Sequence, residues 1–389
     1  MQSGGMLLAQ KAPKWAERAR RSVFTIEATD KSGNVTRGTG FFVGDQGEAV
    51  SNYTLFIGAD RATVIDADGG RLPVVCILGA DDLYDVIRFK VSSQKKLPGL
   101  TPATSQPAVG DRAYLIPASS AKGAAPAVGP ISEVTRIKEQ YGYYRVDMPL
   151  TREQVSAPLL NEGGQAFALA QADASGKGKT YGIDLAYIMS LRPAATDVLN
   201  KVYSSIGIRT AWASSADEAL VALMLYAAQQ DARTYLATLD DFVATFPNVP
   251  DGYLTRASHY VYQRKKLSDV GTEQQLLSRA EADLASAQKL FGDNVAEGYY
   301  NHAKLIYGVS AASTLTAPGW TMDRAADWIA KAIAADDRPL YRQLEADIAF
   351  FRGDYAKAAA DYALVNQSPG ASASSFYMAA KTEEQLEAP

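Results

Sequence analysis

The sequence predicts a chain built in two parts, an all-β barrel or sandwich followed by an all-α array of helix hairpins. Three observations predict it. Apolar residues alternate with period two in short segments up to about residue 190 and recur with helical spacing beyond it. Clusters of Gly, Asn and Asp punctuate the first part and supply the turns that short strands need. A chain of 389 residues also exceeds what one hydrophobic core usually serves, so at least two domains are expected.

Composition narrows the function classes. Hydrophobic residues at 47% and charged residues at 21% describe a chain able to build cores rather than stay disordered. A formal charge of −4 gives no basic stripe to neutralise phosphates, so nucleic acid is not expected as a partner. No stretch approaches the ~18 consecutive apolar residues of a membrane span, and no integral span is expected. Cys76, the single cysteine, lies in the apolar run 72–78 and reads as a small buried hydrophobe.

Taken in order, segment 1–21 contains Gly5-Met6-Leu7-Leu8-Ala9-Gln10, which reads like the tail of a secretory signal peptide, with a frayed terminus as the alternative. The first reading makes the protein exported, periplasmic or extracellular; the second leaves it cytoplasmic. The β part spans 22–191, with strands expected at 22–29, 39–44, 48–52, 62–66, 74–78, 86–91, 113–116, 131–137, 143–148 and 165–170. Turns fall at Lys31-Ser32-Gly33-Asn34, Asp45-Gln46-Gly47, Asp68-Gly69-Gly70 and Asn161-Glu162-Gly163-Gly164. A linker helix follows in 192–214, with its helical pattern over 196–203, and 215–389 is helical throughout. There, Ser215-Ala216-Asp217-Glu218 has the form of a capping box opening a helix through Leu220, Leu223 and Met224.

Within 22–191, Gly38-Thr39-Gly40-Phe41-Phe42-Val43, a turn, and Ala49-Val50-Ser51-Asn52-Tyr53 resemble the trypsin-like serine proteases of the Do-like, high-temperature-requirement type, where a Gly-x-Gly-Phe strand precedes one ending in Thr-Asn-x-His. Asp85-Val86-Ile87-Arg88-Phe89-Lys90-Val91, Gly129-Pro130-Ile131-Ser132 and Pro158-Leu159-Leu160-Asn161 are similar to further pieces of that pattern, in the same order. The resemblance implies a double β-barrel and a Ser-His-Asp triad. In that triad the serine attacks, the histidine takes its proton, and the aspartate orients the histidine.

By that resemblance the histidine position falls on Tyr53, and a phenol, which keeps its proton at neutral pH, is a poor base. Counting without gaps from Asp147 to Asn161 puts Val155 at the serine position. By the same resemblance Glu153 and Gln154 replace the small Gly-Asn pair whose backbone amides help shape the oxyanion hole, and Ala157 replaces the second glycine after the serine. Only Asp85 survives, so the catalytic triad is expected to be degenerate. The alternative is a divergent active endopeptidase using Ser156 as nucleophile with an unusual base. The chain's two histidines, His259 and His302, both lie in the helical part, and Lys90, Lys177 and Lys179 are the lysines that a serine-lysine arrangement would need.

Other chemistry is not expected. Gly176-Lys177-Gly178-Lys179-Thr180 lacks the first glycine of a phosphate loop, Asp66 and Asp68 lack the closing glutamate of a calcium loop, and one cysteine with two distant histidines makes no zinc set. The expected cofactor and metal complement is therefore none.

In the helical part, Arg352-Gly353-Asp354-Tyr355-Ala356-Lys357-Ala358, then Tyr362, Val365 and Pro369, resembles one tetratricopeptide repeat, with weaker echoes at 235–247, 280–291 and 325–335. About nine helices are expected, forming an irregular solenoid, with Gly292 as a helix stop. Tyr253, Tyr260, Tyr262, Tyr299, Tyr300 and Tyr307 cluster on helical segments and offer large amphipathic contact area. The resemblance implies a protein or peptide partner bound by the repeat domain, so the whole reads as a catalytically inactive, protein-binding scaffold.

Overall fold

The computed structural model describes residues 12–118, 122–173, 178–312 and 317–387. The segment 5–10 read as a signal-peptide tail lies outside these described residues, and so does Lys177. The chain divides into two compact units, Met1–Ala213 and Ser214–Pro389.

The first unit is a double β-barrel. β1 (Val23–Asp30), β2 (Val35–Val43), β3 (Glu48–Ser51), β4 (Ala59–Ile65), β5 (Arg71–Asp81) and β6 (Val86–Val91) close into one barrel in the order β1-β2-β3-β6-β5-β4. β7 (Arg112–Leu115), β8 (Ala127–Ile137), β9 (Tyr141–Val146), β10 (Pro158–Leu160), β11 (Ala166–Ala172) and β12 (Thr180–Asp184) close a second in the order β10-β11-β12-β9-β8-β7. Closure leaves no free sheet edge.

Period-two patterning fills each interior. Phe24, Phe42 and Phe89 point inward from β1, β2 and β6, and Phe56 joins them, with ring centroids 4.6 to 6.3 Å apart. Gly40 has no Cβ for a reason of packing: one built there would sit 2.5 Å from the Val50 carbonyl oxygen and 2.6 Å from the Phe24 ring. Between the barrels lies a separate apolar cluster, to which β2 gives Phe41 and Val43 and the second barrel gives Leu160, Leu169 and Ile183. Helix α1 (Ala16–Ser22) seats Ala16 and Ala19 on this cluster, and the Trp15 indole donates to the Glu162 carbonyl oxygen at 2.9 Å.

Helix α2 (Leu185–Ser190) closes the second barrel. The stretch read as one helix over 196–203 is instead a 3-10 turn, Ala195–Leu199, and a single helical turn, α3 (Lys201–Ser204), broken at Asn200, whose side chain caps the second piece. The chain then runs along the first barrel. The Gly58 amide bonds Ser205, the Gly207 amide bonds Ala59, and Ile77 exchanges backbone bonds with Arg209 and Ala211.

The second unit holds nine helices among the described residues: α4 (Ala216–Gln229), α5 (Ala232–Thr245), α6 (Pro250–Tyr262), α7 (Glu273–Leu290), α8 (Val295–Ala312), α9 (Met322–Ala335), α10 (Pro339–Phe351), α11 (Tyr355–Asn366) and α12 (Ala373–Glu387). Ser215 caps α4 by accepting from the Glu218 amide, and Gly292, at φ +55°, follows α7 in the left-handed conformation that ends a helix. Between α10 and α11, Gly353 turns the chain at φ +79°, Ala358 lets the helices approach, and the buried Tyr362 donates to Asp347.

Candidate functional site

Of the segments singled out by the sequence, 51–53 and 153–156 meet across the two barrels through Asn52 and Ser156, whereas Asp85 and Tyr53 make their hydrogen bonds within the first unit. β3 ends at Ser51, whose hydroxyl donates to the Thr39 carbonyl oxygen at 2.7 Å, and Asn52 follows. A 3-10 turn, Tyr53–Phe56, then turns the chain back. Consecutive side chains on such a turn diverge by about 120°. Tyr53 therefore enters the barrel core, where its phenol shares a hydrogen bond of 2.8 Å with the Ser205 hydroxyl, while Thr54 faces the solvent side.

Asp85 stands before β6 in the left-handed region, at φ +49°. Its Oδ1 accepts from the Thr54 amide at 2.7 Å and from the Thr54 hydroxyl at 2.8 Å. The side chain that meets Asp85 is thus Thr54 and not Tyr53, a correction to the sequence reading. The motif count agrees, because Ser51-Asn52-Tyr53 fills its first three positions and Thr54 its fourth. A hydroxyl held by a carboxylate lacks the second nitrogen with which an imidazole reaches a nucleophile.

The second barrel brings up residues 151–157. Around the 3-10 turn Arg152–Gln154, the Thr151 amide donates to Gln154 Oε1 at 2.8 Å and the Gln154 amide donates to the Thr151 carbonyl oxygen at 3.0 Å. The Val155 amide donates back to the Arg152 carbonyl oxygen at 3.4 Å, so it is turned into the chain. Ser156 sits at φ +69°, a conformation that favours glycine, and is fully buried. Its amide donates to the Ala170 carbonyl oxygen at 2.8 Å, and its hydroxyl donates to Asn52 Oδ1 at 3.1 Å. Thr39 also reaches across, donating to the Glu153 carbonyl oxygen at 3.0 Å. Asn52, given no role by the sequence reading, is the side chain that joins the two segments; its place between a strand end and a turn was the only signal for it.

No histidine precedes residue 259 in the sequence. Of the fallback lysines, Lys179 is paired with Asp147 at 2.6 Å and Lys90 lies within β6. His259 shares a hydrogen bond of 2.7 Å with the Ala232 carbonyl oxygen in the helical unit, and burial lowers its pKa. Among the described residues no group of His, Cys, Asp and Glu is placed to hold a metal ion. Asp66 accepts from the amides of Asp68 and Gly70, the work of a turn residue.

Residues 38–169 match the family model of the trypsin-like peptidase domain. Among curated proteins, a probable periplasmic serine endoprotease, DegP-like, of Chlamydia trachomatis is 32% identical over 158 residues, which is 39% of this chain and 31% of that protein. Its namesake in Chlamydia pneumoniae is 31% identical over 161 residues, 40% of this chain and 33% of that protein. The chain thus spans about a third of the length of these relatives. Among solved structures, the HtrA-type protease AlgW with tripeptide is similar at 20% identity and a TM-score of 0.39, over 48% of this chain and 64% of that one. Among the described residues, no helix is long and apolar enough to cross a membrane.

Proposed function

We propose that the double barrel is a catalytically silent peptidase fold and that the chain serves as a protein-binding scaffold, exported like the periplasmic relatives, with a tetratricopeptide-like helical unit as its principal docking element. The observation that carries the inactive reading is the pairing of Asp85 with Thr54. The carboxylate that would orient a histidine is occupied by a hydroxyl that cannot relay a proton to a nucleophile.

Two further observations support it. Val155 has no nucleophilic atom, and the neighbouring Ser156 is buried with its proton on a carboxamide oxygen, which is no base. An oxyanion hole needs amide N–H groups aimed at the developing charge, and the Val155 amide is turned toward Arg152 instead. A protein with no nucleophile and no base has kept a fold that positions surfaces.

The test is a fluorophosphonate probe and a casein assay on the purified chain. Neither labelling nor cleavage is expected, and Ser156→Ala should change neither. Labelling that disappears in Ser156→Ala would establish the endopeptidase alternative and overturn this reading.

A further inference from the structure

On the first barrel, α1 and residues 92–101 border two adjoining hollows. One, of about 540 Å³, lies among Arg18, Arg21, Gly44, Asp45 and residues 96–99. The other, of about 630 Å³, lies among Asp45, Val75, Lys90 and residues 92–96. They share Asp45 and Lys96, so they form one trough.

Its charge is one-sided. Arg18, Arg21, Lys90, Lys95 and Lys96 line it, and Asp45 is the only carboxylate among the described lining residues. Asp45 is held by Lys96 at 2.6 Å, and Arg21 reaches out to Asp68 at 2.8 Å. Arg18, Lys90 and Lys95 have no acidic partner among the described residues. Arg18 and Arg21 are three apart on α1, so both heads leave the same face. Cations gathered in a concavity focus their potential and repel one another until an anion enters.

Shape and lining narrow the anion. Two joined hollows suit an extended chain better than a single small ion. Val75, 38% exposed between the cations, offers an apolar seat, and Ser92, Ser93 and Gln94 offer neutral hydrogen-bonding groups. We propose that this trough docks an acidic, extended peptide segment of a protein partner, whose carboxylates meet Arg18, Lys90 and Lys95 and whose apolar side chain rests on Val75. None of its lining residues belongs to the Thr54–Asp85 pair or to the helical unit, so it stands or falls independently of the peptidase reading.

The experiment uses the full chain and a fluorescein-labelled peptide of repeated Asp-Glu-Leu triplets, read by fluorescence anisotropy. The wild type should bind, with affinity falling as salt rises. Arg18→Glu/Lys95→Glu should weaken binding at least about tenfold, because like charges then face each other. Lys304→Glu/Lys331→Glu, the same charge change at two residues outside the trough's lining, should stay within about twofold. If the reversed variant loses its circular dichroism signal, Arg18→Gln/Lys95→Gln replaces it with the same expected direction. Failure of the wild type to bind overturns the proposal. So does equal weakening by the helical-unit variant, or trough-dependent binding of phosphatidylglycerol vesicles without binding of the peptide.

Discussion

At the scale of single residues, Ser156 and His302 each hold a conformation or a protonation state against its ordinary preference. A left-handed backbone costs a residue with a Cβ roughly 1–2 kcal/mol, and a buried hydrogen bond returns about 0.5–1.5 kcal/mol. Ser156, at φ +69° with its hydroxyl on Asn52, sets these terms against each other. Ser156→Gly should therefore leave the barrel's stability nearly unchanged. Ser156→Ala keeps the strain and loses the bond, and should lower it by about 1 kcal/mol in urea unfolding; the reverse order would show that the serine is unstrained. In the helical unit, His302 lies against the Trp328 ring at 4.4 Å, and neither ring nitrogen has a partner among the described residues. Burial, aided by Arg324 and Lys331, pushes its pKa down to about 4 from 6.5. The folded protein thus resists a proton that the unfolded chain accepts. Stability from this source is complete above pH ~6.5 and is lost as pH falls toward ~4, by on the order of 2 kcal/mol at pH ~5. His302→Phe should lose less stability than wild type between neutral pH and pH ~5, in urea titrations of the helical unit's transition.

At the scale of elements, backbone contacts decide more than side-chain chemistry. Gly40→Ala would drive a methyl group into the Val50 carbonyl oxygen across the β2–β3 pair. It should destabilise the first barrel by about 1–3 kcal/mol, the usual range for overpacking, read as a lower urea midpoint; an unchanged midpoint would mean that the pair gives way at no cost. The sequence marked this glycine only as part of the Gly-x-Gly-Phe segment, and the close approach of Val50 and Phe24 that requires it comes from the fold. β1 and β6 were legible, because their alternating or continuous apolar runs are long enough to show a period. Shorter pieces were not: β10 has three residues, too few for a period, and α1 buries only small Ala16 and Ala19 on its apolar side. The linker pattern over 196–203 misled because apolar spacing does not register the break at Asn200. At the site, the four-position count of the motif reaches Thr54, one residue past the Tyr53 of the sequence reading, and the rotation of the 3-10 turn is the physical reason that Thr54 and not Tyr53 faces Asp85.

At the scale of the molecule, the boundary between the units follows from what residues 192–213 do. The β pattern of the sequence ends near 191, yet Tyr203, Ile206 and Ile208 are buried in the core of the first barrel. Backbone bonds from Ser205, Gly207, Arg209 and Ala211 run along the same barrel. Burying an apolar side chain contributes about 1.5–3 kcal/mol, so these three together supply roughly 5 kcal/mol, comparable with the whole stability of an ordinary domain. A fragment of residues 12–213 should therefore unfold in one cooperative transition. A fragment of residues 12–191 should be largely unfolded or aggregated, since Tyr53 would lose Ser205 and Ile77 both of its backbone partners. Circular dichroism melts of the two fragments decide the matter. If the shorter one melts as cooperatively and as high as the longer, residues 192–213 are a tether. If it does not, they are the last element of the barrel unit, and the helical unit begins at Ser214.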